Sequence, residues 1–555
     1  MAFLVAMCSA VAVVVLAVHW VYRWRNPRCS IGKLPPGSMG LPLLGETMQF
    51  FSPNATFDVS PFIKDRIKRY GPVFRTSLVG QPVVVSTDPE LNRFVFQQEG
   101  TLFESWYPET FTEIFGRSNV GSLHGFMYKY LKSLVLKLFG PESLRDLLLR
   151  DVETAACANL SSWSRLSSIE LKEATSNMIF DLTAKKLISY ESSSSSESLR
   201  KNFVAFIRGL ISYPVDLPGT AYHQCMQGRK NVMKVLKNML KERRNSPRKQ
   251  HGDFFDYLIE ELNKERSLIT ETIALDLMFV LLFASFETTS LVLTLAIKFL
   301  TDHPNVLEKL TEEHDTIIKN REDPMTGVTW MEYRSMAFTF QVITETARLA
   351  NIVPGIFRKA LKDIQINGLS ISTVTEISSV PHLLISRSQN PHCDFATGYT
   401  IPAGWRVMVC PPAVHLNPEI YKDPLTFDPW RWKDRPELNG GSKHFMAFGG
   451  GMRFCVGTEF TKLQMAIFVH CLVTKYRYNL ALPSNNFLFF YLVMSLELGL
   501  LKGWRRLLDT VNHRLDNQVE GNQRRKYSPN ARIRIPRWLS YPALSQSSMI
   551  WWEMA

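Results

Sequence analysis

The sequence predicts a mainly α-helical domain with small β-sheets, preceded by one N-terminal transmembrane helix. Three observations predict it. Ala2–Tyr22 is apolar almost without interruption, and about 20 apolar residues cross a bilayer as a helix. Apolar residues then recur at helical spacing near 122–150, 170–190, 200–212, 226–244, 254–265, 270–300, 304–320 and 331–350. Val73–Ser86 (VFRTSLVGQPVVVS) alternates at the period of a strand instead. With 555 residues, 45% apolar and 21% charged, the chain has globular composition, which excludes a wholly disordered or collagen-like protein.

Taken in order, the first element carries only Ser9 and His19 as polar interruptions and is succeeded by Arg23, Arg25 and Arg28. Trp20, Tyr22 and Trp24 sit where interfacial aromatics belong, and the positive flank places the downstream chain in the cytosol. A cleaved signal peptide fits worse, because no basic segment precedes the apolar run. Leu34–Glu46 (LPPGSMGLPLLGE) reads as a stiff connector, since closely spaced Pro and Gly exclude helix. The alternating stretch reads as a hairpin turning at Gly80-Gln81-Pro82. Leu277–Leu300 is apolar enough for a second span, but Asp276 and Glu287 on the same helix would be costly in lipid, so a buried core helix is expected. The division is 1–22 anchor, 23–46 basic, proline-rich hinge, 47–478 folded domain and 479–555 basic tail.

The net charge of +13 suits a membrane-surface or nucleic-acid-binding protein. It is concentrated: 229–249 holds nine Lys/Arg against one acid, and 502–538 holds ten against three. The first stretch is expected near anionic lipid. Nucleic-acid binding rests on charge alone, and no nucleic-acid partner is expected. The eight cysteines form no CxxC pair and no zinc-like cluster, and their low density argues against a disulfide scaffold and for a reducing compartment.

The sharpest chemical signal is Phe448–Gly457 (FGGGMRFCVG). Glycines let backbone N–H groups approach the Cys455 thiol, and Arg453 adds a cation, an arrangement suited to a metal-bound thiolate. A buried structural cysteine in a turn is the competing reading. Glu345 and Arg348 share a helical face at i and i+3, which alone means little. Arg431 lies among aromatics in Phe427–Trp432 (FDPWRW). Ala284–Thr289 (ASFETT) puts an acid and hydroxyls in an apolar helix, where burial is costly unless they are satisfied.

Together and in this order, the anchor, proline hinge, acid–Thr pair, ExxR, FxPxRW and FxxGxRxCxG resemble the cytochrome P-450 family over roughly residues 30–478. The resemblance implies the cytochrome P-450 fold and haem b (iron-protoporphyrin IX), with Cys455 as the metal ligand. It implies that Phe448 packs beside the haem and thiolate, that Gly451 and Gly457 shape the loop, and that Arg453 and Arg358 meet the propionates. Tyr128 and Lys132 stand where the family has W-x-x-x-R, departing at both positions. Glu345, Arg348 and Arg431 would form a buried structural network. Glu287 and Thr288 would relay protons to the oxygen site, with Ser285 in place of the usual Gly. LPPG and Ser212–Arg229 resemble the plant clan of brassinosteroid and triterpenoid oxidases, subgroup eighty-seven, implying a sterol or triterpenoid-like substrate. Ser285-Phe286, Ile352–Ile356 and Phe103–Phe115 are the expected pocket walls. The implied partners are an NADPH-cytochrome P-450 reductase, which brings NADPH in indirectly, and the lipid bilayer. The implied setting is the endoplasmic reticulum membrane, single-pass, with a cytosolic catalytic domain.

Two stretches depart from the pattern. Leu369–Gly398, rich in Ser and Thr and without clear periodicity, interrupts an expected β-hairpin between Gly368 and Tyr399, and is read as a non-native insertion from a retained intron or an in-frame gene-model error. Its His382, His392 and Cys393 allow a metal site, with a disordered loop the expected alternative. From Asn479 onward the expected C-terminal hairpin is not recognisable. A haem-binding but catalytically impaired protein is the alternative that both departures raise.

Overall fold

The computed structural model describes residues 2–476 apart from 28, 30–31, 53–57, 167, 191–195, 211, 213, 246–250, 324–325, 368–369, 374–397 and 434–441, together with 479–481 and 532–534. The N-terminal helix Ala2–Arg25 ends in Arg23 and Arg25. Its segment Met7–Arg25 has a mean hydropathy of 1.5 and is buried by nothing in the protein. At 1.5 Å per residue its length is about 36 Å, enough to cross a hydrocarbon core. The proline connector docks on the first strand, β1 (Val73–Leu78): Arg75 N donates to the Pro36 carbonyl at 2.8 Å and Arg75 Nη1 to that of Pro35 at 3.0 Å.

β1 pairs antiparallel with β2 (Gln81–Ser86). The turn falls one residue earlier than expected, at Val79-Gly80, with φ of 51° and 72°. Two positive φ angles match the right-handed strand twist, and Pro82 can then lie within β2 opposite Ser77. A five-stranded sheet has the order β1-β2-β9-β5-β3, with β3 Phe103–Ser105, β5 Ile356–Ala360 and β9 Arg406–Val409. In a second sheet, β6 (Ile364–Asn367) pairs with β7 (Ser370–Thr373) on one side and β8 (Tyr399–Ile401) on the other. The β6–β8 ladder is thus formed on either side of the interruption, most of which lies outside the described residues, as do His382, His392 and Cys393. A third sheet joins β4 (Ser168–Glu170), β11 (Arg532–Arg534) and β10 (Asn479–Ala481), all parallel. Those two short strands are the described parts of the tail.

The rest is helical. The periodic run 122–150 proves to be more than one helix: Gly125–Phe139 stops at Gly140, and a second helical stretch starts at Pro141 and passes through a π-helical turn, Leu144–Leu148, into Leu149–Trp163. The central helix Glu271–Asp302 is 32 residues long and its most apolar window is 83% buried, so it is a core helix. Its acids have cationic partners. Asp276 pairs with Arg229 at 2.7 Å, and Glu287 pairs with Lys172.

Three buried histidines carry a pH dependence. His314 and His470 face each other through Nδ1 at 3.0 Å, and His415 packs beside Asn351. Burial pushes His314 and His415 down to about 3 and His470 down to about 4. The unfolded chain binds protons at these sites below about pH 6.5 and the folded one does not. Their contribution is therefore complete above about pH 6.5, and each loses about 1.4 kcal/mol per unit as pH falls toward the folded values. The urea midpoint is expected to fall between pH 7.5 and 5.5; a rise would contradict this account.

Candidate active site

The loop before helix Thr458–Lys475 is built around Cys455. Cys455 N donates to the Phe448 carbonyl at 3.1 Å, and Thr458 Oγ1 donates to the Cys455 carbonyl at 2.9 Å. Gly451 has φ +64°, and a Cβ there would lie 2.1 Å from the Phe96 carbonyl oxygen. Gly451→Ala is therefore expected to cost about 2 kcal/mol or more, read as a lowered denaturation midpoint. Gly457 differs: a Cβ would meet only Cys455 Sγ, at 3.8 Å, so nothing in the protein demands glycine there.

Burial pushes the Cys455 thiol up to about 11, against the opposing pull of the Gly457 amide, the Thr458 hydroxyl and Lys132. The loop alone thus leaves a neutral thiol at pH 7. A coordinating cation is what turns it into a thiolate.

Cys455 and Gly457 line a cavity of about 40 Å³ with Ser285, Thr288, Leu281 and Phe460. A neighbouring space of about 10 Å³ adds Phe448, Ile352 and Val292. Thr288 borders both, and its Oγ1 donates to the Ala284 carbonyl at 2.9 Å, leaving lone pairs free to accept. Glu287, one residue away and about 100° round the helix, pairs with Lys172 and lines neither cavity. Of the expected pocket walls, Ser285 and Ile352 line these spaces. Phe286 instead packs on Phe180 and Phe203, while Phe115 joins Phe206 and Phe283 in an aromatic cluster.

The two arginines expected at the propionates converge on a residue that sequence reading missed. Glu99 takes Arg453 Nε at 2.7 Å on one oxygen and Arg358 Nε at 2.6 Å on the other. Burial alone would raise the Glu99 carboxyl, but the two guanidiniums outweigh it and hold it below its usual value. One positive charge stays unbalanced among the three. Arg453 Nη1 is buried without a hydrogen-bond partner, and its guanidinium stacks 4.2 Å over the Tyr128 ring. Lys132 reaches the loop rather than this cluster, donating to the carbonyls of Met452 at 2.7 Å and Phe454 at 3.0 Å.

At the heart of the Glu345 network, Glu345 and Arg348 are fully buried. Glu345 accepts from Arg348 Nε and Nη2 at 2.9 and 2.7 Å, Arg431 Nε at 2.9 Å, Trp432 Nε1 at 2.9 Å and the Asp428 amide at 3.1 Å. Arg348 Nη1 also holds the carbonyls of His415 at 2.8 Å and Pro424 at 2.7 Å. His415 Nε2 in turn accepts from the Met446 amide at 3.1 Å, so the network reaches the start of the cysteine loop.

A family model described as Cytochrome P450 matches residues 35–390 and 377–486. The chain belongs to the cytochrome P450 family. It is 61% identical over 486 residues to cytochrome P450 87A3 of Oryza sativa subsp. japonica, covering 87% of this chain and 88% of that relative. Beta-amyrin 16-alpha-hydroxylase of Maesa lanceolata is 41% identical over 477 residues, covering 85% and 93%. Among solved structures, the retinoic acid-bound cyanobacterial P450 CYP120A1 superposes with a TM-score of 0.66 at 25% identity, covering 80% of this chain and 92% of that one. As a P450 monooxygenase the chain implies a haem-iron cofactor, and its residues fit one. Cys455 lines the cavity, Arg453 Nη1 lacks a partner, the arginine cluster carries surplus positive charge, and Gly457 leaves room beside Sγ.

Proposed function

We propose that this P450 inserts one atom of O2 into a sterol or triterpenoid-like substrate, with electrons reaching it from NADPH through an NADPH-cytochrome P-450 reductase. The observation that carries this reading is the apolar cavity shared by Cys455 and Thr288. Cys455 would ligate the haem iron, Arg453 and Arg358 would face its propionates, and Tyr128, Lys132, Phe448, Gly451 and Gly457 would shape and brace that seat. The haem supplies oxygen activation and insertion when bound. The protein supplies position, protons and exclusion of water. Glu287, part-exposed beside Lys172, would be the outer member of the proton route, and Thr288 Oγ1, at the cavity, the inner one. Glu345, Arg348 and Arg431 hold the backbone beneath the loop. The walls formed by Leu281, Val292 and Ile352 suit a rigid apolar skeleton, and the relative named for beta-amyrin hydroxylation supports this class.

The anchor helix, with Arg23 and Arg25 at its end, supports a single-pass placement in the endoplasmic reticulum membrane with the domain in the cytosol. On helix Ala221–Asn245, Arg229 and Arg243 are spent on internal acids, whereas Lys230, Lys234, Lys237 and Lys241 form an exposed stripe suited to anionic lipid. The reductase would dock by its acidic face on the basic thiolate side. We also hold that Leu369–Gly398 is non-native: β6 and β8 pair across it, and the family match runs in two pieces there. A transcript lacking those codons would support this, and peptides from the segment in tissue would refute it.

The test is turnover by the full chain with reductase and NADPH, offered beta-amyrin and cholesterol in turn. A product one oxygen heavier, formed only with NADPH, is expected. Absence of product from both, in a preparation that binds haem, would refute the substrate class. Thr288→Ala should slow product formation by about 100-fold and Thr288→Ser should restore most of it; equal rates in all three would remove Thr288 from the proton route.

A further inference from the structure

Helix Leu149–Trp163 packs against the helix after the cysteine loop, Thr458–Lys475. Cys157 from the first and Cys471 from the second meet there with their Sγ atoms 3.3 Å apart. Cys471 is fully buried and Cys157 is half-buried. Lys475, exposed one turn beyond Cys471, brings Nζ to 3.2 Å from Cys157 Sγ. Glu153, one turn before Cys157, also faces it, but accepts the Val328 amide at 3.0 Å.

We propose that Cys157 and Cys471 form a redox site, a dithiol that a hydroperoxide converts reversibly into a disulfide joining the two helices. The arrangement divides the roles. Cys157 is the attacking thiol: it is reachable from solvent and has an ammonium beside it. Hydrogen bonding from Cys471 and the charge of Lys475 lower its pKa, while Cys471 is held protonated by Cys157 and by burial. The other buried thiols lack this setting, and burial pushes Cys225 and Cys410 up to about 12.

The chemistry balances in two steps. The Cys157 thiolate attacks one peroxide oxygen and the O–O bond breaks. The second oxygen leaves with a proton as water or an alcohol, and Cys157 becomes a sulfenic acid. The Cys471 sulfur then attacks the Cys157 sulfur, an S–S bond forms, and the sulfenic oxygen leaves as water with the Cys471 proton. Two electrons pass from the thiols to the peroxide, and a cytosolic dithiol or glutathione returns them. The sulfurs must close from 3.3 Å to a bond length of about 2.0 Å, a movement within side-chain reach. The bond would close a loop of more than 300 residues and fix the helix whose first turn comes just after Cys455.

The test uses the full chain in detergent, treated with hydrogen peroxide, alkylated, digested and read by mass spectrometry. The expected result is a Cys157–Cys471 cross-linked peptide two hydrogens lighter than its reduced parts and reversible by dithiothreitol. The oxidised chain should also unfold a few degrees higher than the reduced one. In Cys471→Ser a sulfenic acid at Cys157 should accumulate and be trapped by dimedone. In Lys475→Met cross-linking should slow several-fold. The proposal is overturned if Cys157 goes to sulfinic acid without a cross-link, or if both thiols stay reduced while a free thiol added to the same sample is oxidised. These readouts do not depend on haem or turnover.

Discussion

Glu345→Ala is expected to cost about 3–5 kcal/mol, because it strands two buried guanidinium groups rather than deleting one contact. Arg348 and Arg431 would both lose their anion, and Trp432 Nε1 and the Asp428 amide their acceptor. Against a total stability of about 5–15 kcal/mol this is a large fraction. The loss would spread, because Arg348 also ties His415, whose ring holds the Met446 amide ahead of the cysteine loop. Chemical denaturation should show a much lower midpoint, and haem content per chain should collapse with it. Trp432→Phe, which removes one donor, should cost no more than about 3 kcal/mol and retain haem. A Glu345→Ala protein of near-normal midpoint would show that the network is incidental.

Cys455→Ser is expected to abolish product formation while leaving the protein fold in place. Serine is close in size, so the apo chain's denaturation midpoint should move by no more than about 1–2 kcal/mol. A hydroxyl at this buried site would not supply the sulfur donor that the loop is built to present. Retained turnover in this variant would remove Cys455 from its proposed role. The contrast between the two substitutions separates the residue that acts at the cavity from those that hold its floor.

The features legible in the sequence are local or patterned. Glu345 and Arg348 stand one turn apart on one helix, and Cys455 sits among glycines that only a tight loop explains. The core status of Glu271–Asp302 rests on two acids that lipid would not accept, and each has its cation, Arg229 and Lys172. The features that escape are non-local. Glu99 meets Arg453 across 354 positions, and no spacing in Gln98-Glu99-Gly100 marks it. Cys157 and Cys471 meet across 314 positions, again without a motif. The hairpin turn is displaced from its expected place because Gln81-Pro82 looks like turn chemistry, whereas strand twist selects Val79-Gly80, tolerating a positive φ at valine. The boundary between Phe139 and Pro141 is hidden because apolar spacing continues past Gly140. Glu287 needs a partner, as the sequence implies, but the helical turn from Thr288 directs it to Lys172 rather than into the cavity.

The central claim is that this chain holds haem through the Cys455 thiolate. The most direct measurement is the absorption spectrum of the purified full-length protein, reduced and saturated with carbon monoxide. A strongly red-shifted Soret band, absent from Cys455→Ser, is the predicted result. Reduced haem protein whose carbon monoxide band lacks that shift, or a chain that takes up no haem, would contradict it.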